Sequence, residues 1–172
     1  MIIKLFDIQN KKVVPTEHCY TLKFLKDIME AFPDTYLNVY QYLFYMTCPN
    51  PDMNPFFNLR EHEKEDLILE EINMEESTED ELIQEALYKC EKLYQTPTYR
   101  AYKGIKGMMD KLAKYMETTP IEHGRDGNIN ALINAASKFE NIRNSYKGAF
   151  NDMKKEQQSV VRGGHGLAYD QL

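Results

Sequence analysis

Catalysis and metal binding need side chains of matched type at fixed spacing, and this chain offers three places to look for them. His62-Glu63-Lys64-Glu65-Asp66 opens like a zinc-protease helix, in which two histidines four residues apart hold the metal and the glutamate serves as base. Asp66 stands where the second histidine would be, so the segment reads as solvated helix surface. His18-Cys19 has metal-ligating side chains but no Cys-x-x-Cys or His-x-x-x-His to complete a set, and reads as a core cysteine beside a surface histidine. Gly163-Gly164-His165-Gly166 lacks the Lys-Ser/Thr of a phosphate loop and a following helix to receive an anion. It is either a frayed end or a docking arm. With no Gly-x-Ser-x-Gly and no kinase set either, the expectation is a protein without catalytic residues, metal ligands or cofactor, not an enzyme.

Charge is the remaining chemistry. Arg100, Lys103, Lys111 and Lys114 fall close to one face of a helical segment, with Tyr99, Tyr102 and Tyr115 interleaved. Lys138, Arg143, Lys147, Lys154 and Lys155 add positive charge to the next segment. Such a stripe suits phosphate contacts. A pI near 5.3 opposes duplex binding unless the acidic part of the chain faces away. That part is concentrated: residues 59–91 hold 13 acids against Arg60, Lys64 and Lys89, whereas residues 92–172 hold 13 bases against 8 acids. Two readings stay open. The segments are solvated faces of opposite sign, or copies pair head to tail, with Glu75, Glu76, Glu79 and Asp80 meeting Arg100, Lys103, Lys111 and Lys114.

The elements that would position these groups follow from composition and periodicity. A chain of 172 residues with 42% apolar content suits one domain, and twelve tyrosines with eight phenylalanines supply bulk for a core or an interface. Cys19, Cys48 and Cys90 are odd in number and far apart, which points to reduced thiols in a cytoplasmic setting. No secretory leader is visible at Met1, and the uncharged run from Thr35 to Pro51 is too short and polar to span a bilayer.

Residues 2–8 and 12–14 flank Gln9-Asn10-Lys11 as a hairpin or an arm that must lie on something larger. Thr16 is the expected N-cap of a first helix ending at Pro33, and Asp34 that of a second, tyrosine-rich helix reaching Thr47. A proline-rich loop follows, in which Phe56 and Phe57 need a pocket in this core or on a partner. Asn58-Leu59-Arg60-Glu61 and Thr78-Glu79-Asp80-Glu81 fit capping boxes for a third and a fourth helix. Leu67, Ile68, Leu69 and Ile72 are the apolar members of the third.

Pro97 starts a fifth helix, in which Tyr102, Ile105, Met109, Leu112 and Met116 keep the spacing of a helix–helix seam. Asn128 or Asp126 caps a sixth helix running to about Ser159, with Ile129, Leu132, Ile133, Ala136, Phe139, Ile142, Tyr146, Ala149, Phe150 and Met153 as its apolar stripe. The last two pair as an antiparallel hairpin. The expected architecture is mainly α: a helical bundle over residues 1–158 with a short N-terminal β-hairpin or arm, a long C-terminal helical hairpin and an extended tail over 159–172.

Pro15-Thr16-Glu17-His18-Cys19, Tyr40-Gln41-Tyr42-Leu43-Phe44-Tyr45-Met46 and Asn54-Pro55-Phe56-Phe57-Asn58-Leu59 together resemble small virion proteins of tailed phages, in particular the crAss-like podoviruses of gut Bacteroidales. The resemblance covers about residues 5–75; the remainder agrees in being helical. It implies a head-to-tail connector, a dodecameric ring between portal and tail. The implied partners are copies of itself, the portal protein and other ring or tail proteins, with nonspecific contact to genomic DNA and none to membrane. It also implies a place in the virion, assembled in the host cytoplasm. Phe56, Phe57, Leu167, Tyr169 and Leu172 are the expected interface anchors, because aromatic and aliphatic side chains in proline- or glycine-rich segments seldom all fit one core. The alternative is a small helical regulatory module that binds protein or nucleic acid.

Overall fold

The computed structural model describes residues 4–10, 12–59, 61–72, 74, 76–122 and 127–161. It is mainly helical: β1 (Phe6–Gln9) and β2 (Lys12–Pro15), a 3-10 turn at Glu17–Tyr20, then α1 (Lys23–Ala31), α2 (Tyr36–Thr47), α3 (Glu61–Ile72), α4 (Glu81–Tyr94), α5 (Pro97–Thr118) and α6 (Ile129–Val161). The chain packs as two units, one formed by the residues up to Thr96 and the other by Pro97–Ser159. The extended tail expected over 159–172 lies outside the described residues except for the end of α6.

The first unit is organised around α2. Val39, Tyr40, Tyr42, Leu43, Phe44 and Tyr45 are all buried, so this helix is apolar on nearly every side, as a core helix must be. Leu37 is the exception, half exposed in the first turn. β2, α3, α4 and α1 surround α2. The antiparallel strands pair Phe6 with Pro15 and Gln9 with Lys12, and Asn10 takes the positive φ of 51° that closes the turn. The hairpin lies on α2, with the Phe6 ring 5.5 Å from Tyr40 and 6.1 Å from Phe44.

Burying tyrosines and backbone ends leaves polar atoms to satisfy. The Tyr40 hydroxyl donates to the Leu25 carbonyl at 2.7 Å and that of Tyr42 to Glu65 at 2.9 Å. At the C-terminal end of α2 the buried Asn54 amide donates to the carbonyls of Tyr45 (2.8 Å) and Cys48 (3.0 Å), while its oxygen accepts from the Phe56 amide. The Lys64 ammonium reaches the Met46 carbonyl at 2.7 Å, where the helix dipole favours a cation. The proline-rich loop is held by two buried asparagines, for the Asn50 side-chain oxygen also accepts from the Asp52 amide at 3.0 Å.

Several caps differ from the sequence expectation. Thr16 caps no helix with its side chain; its hydroxyl donates to the carbonyls of Lys4 and Leu5, tying the hairpin to the 3-10 turn, and α1 begins after Leu22. Asp34 gives way to Thr35 before α2, with no side-chain cap. Before α4 the cap is Asp80 and not Thr78: its carboxylate accepts from Leu82 at 2.9 Å and Ile83 at 3.4 Å. A carboxylate one residue before the helix faces the free amides of the first turn directly, and Thr78 stands two residues too early. The proposed box at Asn58 includes Arg60, outside the described residues.

Cys19, Cys48 and Cys90 are free and buried, and burial pushes the Cys19 and Cys48 thiols from 9.0 up to about 11. Such thiols stabilise the fold fully below pH 9, where both states hold the proton. The contribution is lost as pH rises from 9 towards 11, so the thermal midpoint measured by calorimetry falls across that window. Asn54→Ala, which strips two carbonyls of their donor, lowers stability by about 2–3 kcal/mol in urea unfolding.

Candidate assembly interface

In the second unit α5 and α6 meet along the expected seam. Tyr102 is buried, Ile105, Met109, Leu112 and Met116 are half-buried, and the Tyr102 ring lies 5.4 Å from Tyr146 and 5.8 Å from Phe150. The two phenol oxygens are 3.3 Å apart, and the Thr98 hydroxyl donates to Glu156 nearby. Asn128 fastens the connection: its amide donates to the Pro120 carbonyl and its oxygen accepts from the Glu122 amide. Asp126, the other candidate cap, lies outside the described residues.

The stripe on α6 needs correcting. Ile133 is 60% exposed and Ala136 is exposed, while Ala135 is half-buried in their place. The inward positions are Ile129, Leu132, Ala135, Phe139, Ile142, Tyr146, Ala149, Phe150 and Met153. From Leu132 to Met153 these positions keep the 3-4 repeat of a two-helix seam, with Phe150 beside it against Tyr102.

The expected anchors do not stand together. Phe57 is buried and Phe56 packs against the core, its ring 5.1 Å from Tyr45. Both are taken up within the protomer: Phe56 packs on α2 through Tyr45, and Phe57 is buried. Leu167, Tyr169 and Leu172 lie outside the described residues, as does Glu75. Of the other acids, Asp80 is occupied as the α4 cap, Glu79 is exposed and Glu76 is partly buried. Arg100, Lys103, Lys111 and Lys114 are all exposed on α5, with the Lys103 ammonium 5.9 Å from the centre of the Tyr99 ring.

Residues that sequence reasoning placed in the core, or passed over, stand at the surface. Leu67, read as an apolar member of α3, is 42% exposed with the exposed acids Glu63, Asp66, Glu70 and Glu71 around it. The helical positions of Ile68 and Ile72 take the inward face instead, and both are buried. Met108 and Tyr115 on α5 are 55% and 42% exposed, and Ile121 beyond it 64%. The signal for Leu67 was its neighbours: a leucine whose i−4, i+3 and i+4 positions are all glutamate shares their solvated face.

Among the described residues no group of three or more histidines, cysteines or acids is placed to hold a metal, and no helix is long and apolar enough to cross a membrane. Comparison with protein-family models, with curated proteins and with solved structures finds no match to this chain. Placing Phe57 in the core has a measurable consequence. Phe57→Ala lowers the stability of the protomer by about 3 kcal/mol in urea unfolding, whereas a surface anchor would leave it within about 0.5 kcal/mol.

Proposed function

We propose that this chain is a structural assembly protein whose copies associate head to tail, acting as the ring connector that its resemblance to small tailed-phage virion proteins implies. The observation that carries the reading is the division of charge between the two packing units. The acid-rich residues 59–91 belong to the first unit and the exposed bases of α5 to the second. A ring of identical subunits needs two different, complementary patches on each copy, which a charge-divided protomer supplies. In the connector reading the partners are copies of itself, the portal protein and neighbouring ring or tail proteins, and the place of action is the virion.

A nucleic-acid-binding module is the second reading, favoured by the exposed Arg100, Lys111 and Lys114 on one helix. Self-association distinguishes the two. In sedimentation velocity the purified chain forms species larger than 20.2 kDa at low ionic strength, and these dissociate as salt rises to about 0.5 M, where the screening length falls below about 5 Å. In the native source the chain fractionates with a multi-megadalton particle at fixed stoichiometry. A chain that stays monomeric, is absent from any such particle and binds duplex DNA with an affinity that falls steeply with salt would instead be the module.

A further inference from the structure

The open face of α5 carries a pattern that its own protomer does not use. Ala101, Gly104, Met108, Lys111 and Tyr115 recur at 3-4-3-4 spacing, one position out of phase with the seam residues Tyr102, Ile105, Met109, Leu112 and Met116. All five are exposed. Arg100 and Lys114 flank this second stripe, and no acid falls among these positions. Such a repeat on an outward surface has the form of a second helix-packing seam.

Gly104 and Gly107 sharpen the point. A Cβ added at either would meet nothing within 4 Å, so no packing inside the protomer requires a glycine there. Each glycine in mid-helix costs stability relative to alanine. What a bare backbone offers in return is close approach by another helix, and it does so beside the exposed Met108.

The chain itself holds a surface of the matching kind. Among the described side chains of α3 the exposed ones are Glu63, Asp66, Leu67, Glu70 and Glu71, one leucine within a rim of carboxylates. Its apolar knob is branched and of a size to sit over a glycine pair, and its rim is opposite in sign to Lys111 and Lys114. Tyr88 on α4 is also exposed, but the Lys92 ammonium of the same helix covers its ring at 4.4 Å, which leaves α3 as the better complement.

We infer that the α5 face of one copy docks on α3 of the next, with Leu67 seated at Gly104, Gly107 and Met108 and the α3 carboxylates paired with Lys111 and Lys114. The inference rests on the head-to-tail reading above and names the two helices that make the contact. The occupant is a second copy, because the complementary charge and the apolar knob are both present on this chain. Nucleic acid would satisfy the lysines but has no use for Met108 or a bare glycine backbone.

The test is a charge exchange between full-length chains, read by sedimentation velocity and isothermal dilution. The double variants Lys111→Glu with Lys114→Glu, and Glu70→Lys with Glu71→Lys, each place like charges across the contact and lose about tenfold or more in self-association. Mixed in equal amounts they restore opposite charges at every interface, and association returns to near the wild-type level. Gly104→Leu keeps or raises the thermal midpoint of the protomer, because its space is open, yet weakens association. If the wild type associates but either double variant alone matches it, or the mixture fails to recover, the named helices are wrong and head-to-tail assembly stands. If the wild type remains monomeric throughout, both the contact and the assembly reading are overturned.

Discussion

The burial of α2 sets the terms for the rest of the first unit. A helix carrying Tyr40, Tyr42, Leu43, Phe44 and Tyr45 on several faces can lose its apolar surface only if neighbours enclose it, and four elements do so. Enclosure removes water from two phenols and from the carbonyls at the helix end, and each must then find a partner inside the protein. Leu25 and Glu65 meet the phenols, while Asn54 and Lys64 meet the carbonyls. These partners come from α1, α3 and the proline-rich loop. Satisfying one helix therefore fixes the placement of its surroundings.

The second unit obeys a looser rule. Two antiparallel helices share one seam, and among the described residues of this unit only Tyr102, Met153 and Gln157 are buried. A hairpin with a single seam turns most of its surface to solvent, so its sequence is free to carry lysines, glycines and isolated apolar residues where a core helix could not. That freedom is what leaves Met108, Tyr115 and Ile133 exposed.

How much was legible in the chain depended on the range of the interaction. The β-hairpin, the helices and the α5 seam are written in local periodicity, and Pro97 at the first position of α5 is a local steric fact. The caps were harder. Thr16, Asp34 and Thr78 are each plausible by type, but which hydroxyl or carboxylate faces free amides depends on the backbone angles just before the helix. At Thr16 a competing pair of carbonyls from the N-terminal strand captured the side chain. The candidate site divided in the same way: exposed lysines on α5 could be read from spacing, whereas Phe56 and Phe57 could not be assigned to core or surface without knowing how the loop folds.

By itself the sequence determined that the protein is mainly helical, where its helices lie to within a few residues except at the start of α1, and that negative and positive charge occupy different stretches, because propensity, periodicity and composition act between near neighbours. The glutamates around Leu67 hint at its face, but only the tertiary structure decided how far each apolar residue is buried. Leu67 and Ile68 are adjacent and chemically alike, yet Ile68 is wholly buried while Leu67 is 42% exposed. The difference arises because α3 can turn only one face to α2, and that choice is made by packing between segments far apart in the chain.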